Sequence, residues 1–201
     1  DEKVLQAAEE GLASGRYKGI GELHLWSGFG PRRDNRVLQG LLKLAEKYLV
    51  PFLIHTEASS YKFFMPICQN YPKVRFLWAH AGSKLKPHSI DQLMQECPNV
   101  WSEVSVRDPW RYNTLVDKDN QLLPGWRDLL IKYQDRFMTG TDPVWNVRNT
   151  SRWAQADEGW DHYDMLLKFH RDWLKQLPPE VEVKIRLTNA KLLLTDKGSA
   201  R

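Results

Sequence analysis

Four short apolar runs in this chain each end in a group that can bind a metal or carry a proton. They are Ile20-Gly21-Glu22-Leu23-His24, Phe52-Leu53-Ile54-His55-Thr56-Glu57, Phe76-Leu77-Trp78-Ala79-His80-Ala81-Gly82 and Arg136-Phe137-Met138-Thr139-Gly140-Thr141-Asp142-Pro143. Amphipathic segments of helical period separate them, so the chain alternates strand and helix. That alternation predicts a parallel sheet with right-handed crossovers, an α/β fold. In such folds the C-terminal ends of the strands carry the chemistry.

In chain order, residues 2–14 read as a helix stopped by Gly15, and Tyr17 to Leu25 as the first strand. Asn35 caps a helix bearing Val37, Leu38, Leu41, Leu42 and Ala45. Pro51 opens the second strand, Ser59 or Ser60 starts the next helix, and Asn70-Tyr71-Pro72 ends it. Val74 to Ala81 is the third strand, 87–97 a helix, and Asn99 to Val106 a fourth strand. Tyr112 to Pro124 reads as a polar insertion or lid. A helix over 125–134 leads to the fifth strand, Phe137 to Thr141. After a loop from Trp145 to Trp160, a helix runs from Asp161 to Leu177. A last helical pair, broken near Thr188-Asn189, spans 180–194. Either an open doubly wound sheet or part of a βα barrel fits this order. Trp26-Ser27-Gly28-Phe29-Gly30 is a poor dinucleotide-binding loop, which weighs against the Rossmann type.

With 201 residues, 42% hydrophobic and 27% charged, the chain has the composition of a soluble single domain with a substantial core. No apolar stretch approaches the ~20 residues of a membrane-spanning helix, so no membrane role is expected. The formal charge is +4, but the cations are dispersed, which argues against a nucleic-acid partner and for a small-molecule substrate. The N-terminus leaves the compartment undetermined. Cys68 and Cys97 form no CxxC pair, so neither a disulfide framework nor a zinc finger is expected.

A parallel sheet gathers its strand C-termini on one face, so Glu22, His24, His55, His80 and Asp142 should meet there. Imidazoles and carboxylates suit zinc, manganese or iron, with zinc first. A carboxylate beside a metal-activated water can accept its proton, and Asp142 is expected in that role. Glu103 is the fourth strand's candidate. Arg107, Arg111 and Arg148 follow strand ends and could hold an anion. Trp26, Trp110 and Trp145 could stack on a flat substrate.

The segments Gly21-Glu22-Leu23-His24, Leu53-Ile54-His55-Thr56, Trp78-Ala79-His80-Ala81-Gly82 and Thr139-Gly140-Thr141-Asp142-Pro143 resemble strands four, five, six and eight of the amidohydrolase superfamily. The closing Leu187-Thr188-Asn189-Ala190-Lys191-Leu192-Leu193 resembles its C-terminal helix. The resemblance implies a βα (TIM-like) barrel of the metal-dependent hydrolase type, with residues 1–201 supplying strands four to eight. It further implies His55 as a metal ligand, His80 as a second ligand or catalytic histidine, Glu22 as a bridging carboxylate, and Asp142 as ligand or general base. The implied activity is hydrolysis of an amide, ester or lactone. Non-oxidative decarboxylation of an aromatic acid, phosphodiester cleavage and a non-catalytic scaffold remnant are the alternatives, and a homo-oligomer is allowed for. The His-x-His pair of the superfamily's first strand is not in this sequence, which predicts first a segment of a longer barrel, and otherwise a barrel completed by a partner chain or a family that has shed its barrel half.

Overall fold

The computed structural model describes residues 2–25, 32–56, 60–112, 114–144 and 159–195. Helix α1 (Glu2–Ala13) precedes β1 (Ile20–Leu25), α2 (Arg36–Tyr48), β2 (Phe52–Thr56), α3 (Tyr61–Asn70) and β3 (Phe76–Trp78). There follow α4 (Pro87–Glu96), β4 (Val100–Glu103), α5 (Pro124–Lys132), β5 (Phe137–Met138), α6 (Tyr163–Leu174), α7 (Pro179–Val183) and α8 (Asn189–Thr195). A π-helical turn, Lys184–Thr188, joins α7 to α8, so the expected break near Thr188-Asn189 is a local widening of a continuous helix. Among the described residues, no helix is long and apolar enough to cross a membrane.

The five strands lie in one parallel sheet in the order β1-β2-β3-β4-β5. Each strand therefore neighbours its successor, with no reversal of the kind that creates the switch point of a doubly wound sheet. This consecutive order belongs to a βα barrel and decides between the two architectures the sequence allowed.

One face of the sheet is closed. Phe52, Ile54, Phe76, Trp78, Val100 and Phe137 have no exposed surface and pack with Leu38, Leu42, Phe64, Ile90, Leu93 and Leu130 of the helices. Burying side chains of this size contributes ~1.5–3 kcal/mol each. Trp78 is also fixed by polar contact, its indole N–H donating to Thr56 Oγ1 at 2.8 Å. On the other face Leu53 and Leu77 are only half-buried. They line an apolar cavity of ≈ 240 Å³ with Ile20, Met138, Ala190 and Leu193, closed in part by α8.

Local signals set the helix starts. Asn35 Oδ1 accepts from the Val37 and Leu38 amides, and Ser60 Oγ accepts from Lys62 N, as the capping residues predict. Asn99 ties down the other end of a unit: its amide reaches the carbonyls of Cys68, Tyr71 and Val74. Asn99→Ala removes all three contacts and is expected to cost about 1–3 kcal/mol, read as a lower urea midpoint with unchanged slope.

Three expectations need correction. Cys68 and Cys97 are bonded: α3 packs on α4, which brings the two Cα atoms to 6.0 Å across 29 residues of sequence. The third strand stops at Trp78, three residues early, because the backbone turns into the left-handed region at His80, Ala81, Gly82 and Ser83. The segment expected at 112–124 is packed over its described residues 114–124: Val116 bridges Leu122, and Leu115, Val116 and Leu122 are buried.

Candidate metal centre

Glu22 is the hub of the site. Its Oε1 lies 2.9 Å from His55 Nδ1, 3.3 Å from His24 Nε2 and 3.8 Å from His80 Nε2. Glu22 and His24 share a face of β1 because they are two apart, and the register pairs His24 with His55 across to β2. The rings of these two histidines stack with centroids 4.3 Å apart, and His55 meets His80 edge-on at 4.9 Å. Ligand atoms of Glu22, His55 and His80 all lie within 4.8 Å of one another. Donors around one ion at ~2.1 Å stand ~3–3.4 Å apart, so these three fit a divalent cation after small side-chain shifts. His24, at 54% side-chain exposure, forms the open rim.

Asp142 approaches from the far side, its Oδ2 lying 3.8 Å from His80 Nε2. His80 Nε2 thus faces two carboxylates, while Nδ1 is held from behind. Ser105 Oγ is 2.6 Å from Nδ1, and Glu103 Oε1 is 3.2 Å from it. Glu103 is itself pinned: Oε1 accepts from the His80 backbone N–H and Oε2 from Ser105 N at 2.6 Å. A carboxylate and a hydroxyl behind a histidine fix its ring and tautomer so that the other nitrogen can bind a metal. Glu103, the fourth strand's candidate, therefore supports a ligand from behind. Gly140 is required beside it, since a Cβ there would come within 2.5 Å of Glu103 Oε2.

The electrostatics follow from this packing. Burial opposes the charged form of Glu103, but the His80 side chain and the His80 and Ser105 amides outweigh it and bring the carboxyl down to about 2. For His80, burial favours the neutral ring, yet Glu103, Asp142 and Glu22 together raise its pKa. Burial raises the Asp142 carboxyl, helped by Glu103 and Glu22 and opposed by His80 and Arg111. Glu22 goes the other way: the His55 hydrogen bond lowers it against burial.

A pH dependence follows for the metal-free protein. A Glu103 depressed from 4.5 to about 2 contributes stability that is complete above ~4.5 and lost as pH falls toward 2. A raised His80 contributes stability that is complete below its ordinary value near 6.5 and lost as pH climbs through its folded value. The pair therefore stabilises most between about pH 4.5 and 6.5. Melting temperatures from pH 3 to 8 should show the advantage of the native protein over Glu103→Gln peaking in that window.

Of the remaining candidates, the structure gives those it describes other surroundings. Arg107 was expected to hold a substrate anion; it is 0% exposed and donates to the carbonyls of His80, Ala81 and Leu85 and to Thr114 Oγ1. Stacked 4.3 Å over Trp126, it has no face left for a substrate. Arg111, the second candidate, is also buried, against Asp108 at 2.6 Å. Trp110 packs edge-on to Phe169 and lines a cleft of ≈ 130 Å³ with Met165 and Trp173. Trp26, Trp145 and Arg148 lie outside the described residues. Ser105 escaped the sequence reading, although its spacing of two from Glu103 places both on one face of an extended chain.

A TatD homologue from Escherichia coli K12 superposes with a TM-score of 0.62 at 16% identity, over 96% of this chain and 71% of that one. A protein described as a 2-pyrone-4,6-dicarboxylic acid hydrolase from Pseudomonas putida gives 0.56 at 16% identity, over 92% and 67%. A dihydroxybenzoic acid decarboxylase from a Polaromonas species, solved with manganese and 2-nitroresorcinol, gives 0.56 at 12% identity, over 97% and 66%. These likenesses establish the fold as part of a TIM-type barrel. No curated protein sequence matches significantly. The amidohydrolase family profile matches residues 1–194, nearly the whole chain, and the protein belongs to the amidohydrolase family.

Proposed function

We propose that this chain carries the metal-binding part of a hydrolase that activates water on a divalent ion to cleave an amide, ester or lactone bond of a small molecule. The observation that carries this reading is the convergence of Glu22, His55 and His80 on one point, with Asp142 facing the same His80 nitrogen. Glu22 Oε1, His55 Nδ1 and His80 Nε2 would hold the ion. Two imidazoles with carboxylates favour zinc, and manganese also suits the set. A divalent ion held there supplies Lewis acidity, drawing the pKa of water toward ~7 and polarising a carbonyl oxygen.

The chain's own residues supply the rest. Asp142, with its pKa raised mainly by burial, accepts the proton of the attacking water and returns it to the leaving group. Glu103 and Ser105 keep His80 Nε2 turned toward the reacting centre. A zinc- or manganese-loaded preparation offered a panel of lactones, esters and amides should release acid from the lactones and esters in a pH-stat, and free amine from the amides. The release should stop with chelator and with Asp142→Asn.

Decarboxylation of an aromatic acid is the second reading, favoured by the manganese-bearing decarboxylase among the structural neighbours. Hydroxybenzoic acids in the same panel separate the two: carbon dioxide release without hydrolysis would replace the first reading with the second.

A further inference from the structure

We infer that the segment leaving β4, Arg107-Asp108-Pro109-Trp110-Arg111, is a two-armed brace: Arg107 positions His80, and Arg111 with Asp108 positions Asp142. The inference rests on the metal-site reading for what the two held residues do, while the brace itself is seen directly in the hydrogen bonds. β4 lies between β3 and β5 in the sheet, so its exit segment sits between the turn that carries His80 and the turn that carries Asp142.

The first arm faces β3. His80, Ala81 and Ser83 are non-glycine residues at positive φ, a conformation that needs support from outside the turn. Arg107 supplies it, with Nε donating to His80 O at 2.8 Å, Nη2 to Ala81 O at 2.7 Å and Nη1 to Leu85 O at 3.2 Å. Stacking on Trp126 fixes the guanidinium plane. Gly82 completes the turn, because a Cβ there would meet the Trp78 ring at 2.4 Å.

The second arm faces β5. Asp142 has φ of 39°, and Arg111 holds the carbonyls on either side of its Cα. Nη2 donates to Thr141 O at 2.8 Å and Nη1 to Asp142 O. Asp108 Oδ2 accepts from Arg111 Nε at 2.7 Å, and Asp108 Oδ1 from Arg111 N at 3.1 Å. The two are 1% and 3% exposed, so Asp108 neutralises a buried cation that also donates to the turn. The carbonyls of Thr141 and Asp142 are thus both held from outside by one side chain.

The proposal makes the two arms separable. With Co2+ as probe and its visible absorption as readout, Arg107→Gln should weaken binding by roughly 10- to 100-fold, as loss of a supporting contact does. In the His80→Ala background Arg107→Gln should cost nothing further, whereas in the Asp142→Ala background it should cost its full amount. Arg111→Gln should leave Co2+ affinity within a few-fold of native, below the supporting-contact range, because Asp142 stands beside the ion and is not one of its three ligands. Hydrogen exchange reads the same brace without metal: Arg111→Gln should speed exchange over 139–144 and leave 79–85 protected, and Arg107→Gln the reverse. If Arg107→Gln does not fold, the Arg111 arm decides alone.

Losses that multiply in both backgrounds, or exchange that rises equally over both turns, would overturn the brace. If Co2+ binds His55→Ala as tightly as the native protein, the metal-site reading fails by itself, and the exchange pattern still decides the brace.

Discussion

His55→Ala should reduce zinc or manganese affinity by at least about 100-fold while leaving the fold intact. The expected loss is large because His55 is central to the cluster. Its Nδ1 is the nitrogen nearest Glu22 Oε1, at 2.9 Å, and its ring is flanked by His24 on one side and His80 on the other. Removing it takes away one of the three donors that converge and releases the hydrogen bond that lowers Glu22. The fold should survive, since the core behind β2 consists of Phe52 and Ile54 on the opposite face. Calorimetric titration with Zn2+ or Mn2+, alongside a melting curve, separates the two effects. Undiminished affinity would remove His55 from the site.

Asp108→Ala should be the most damaging substitution away from the metal cluster, destabilising the protein by ~3–5 kcal/mol. Asp108 and Arg111 form an ion pair at 2.6 Å with side chains 2% exposed on both sides. Deleting the carboxylate strands a buried guanidinium, which costs far more than the pair contributes when intact. Asp108→Asn keeps the shape and one acceptor and should cost less. Denaturant midpoints measure both, and a loss below about 1 kcal/mol for Asp108→Ala would contradict the buried-pair account.

Much of this was legible in the residues. Asn35 and Ser60 announced their helices, since capping is local chemistry. The strand-end positions of Glu22, His55 and Asp142 followed from period and spacing, because a parallel sheet must gather its C-terminal ends. The consecutive strand order was not legible from periodicity, as alternating strands and helices write the same pattern in an open sheet and in a barrel; the resemblance of the strand-end motifs to a βα barrel supplied it.

The roles of Arg107 and Arg111 were also hidden, for a different reason. An arginine after a strand reads as an anion ligand. Whether its donors point to solvent or to carbonyls 22 to 33 residues away in sequence depends on tertiary packing. The left-handed turn at His80 is hidden in the same way, since its support comes from that distant arginine. Ser105 could have been found from Glu103, the candidate of the same strand, being two residues from it and facing the site. The Cys68–Cys97 bond could not, because two cysteines without a motif declare no partner.

Crystals grown with Mn2+ and measured at the manganese absorption edge read out whether Glu22, His55 and His80 hold a divalent ion with Asp142 beside it. One anomalous peak is expected, about 2.0–2.3 Å from Glu22 Oε1, His55 Nδ1 and His80 Nε2. A peak bound elsewhere, or none at saturating Mn2+, would sink the proposed site.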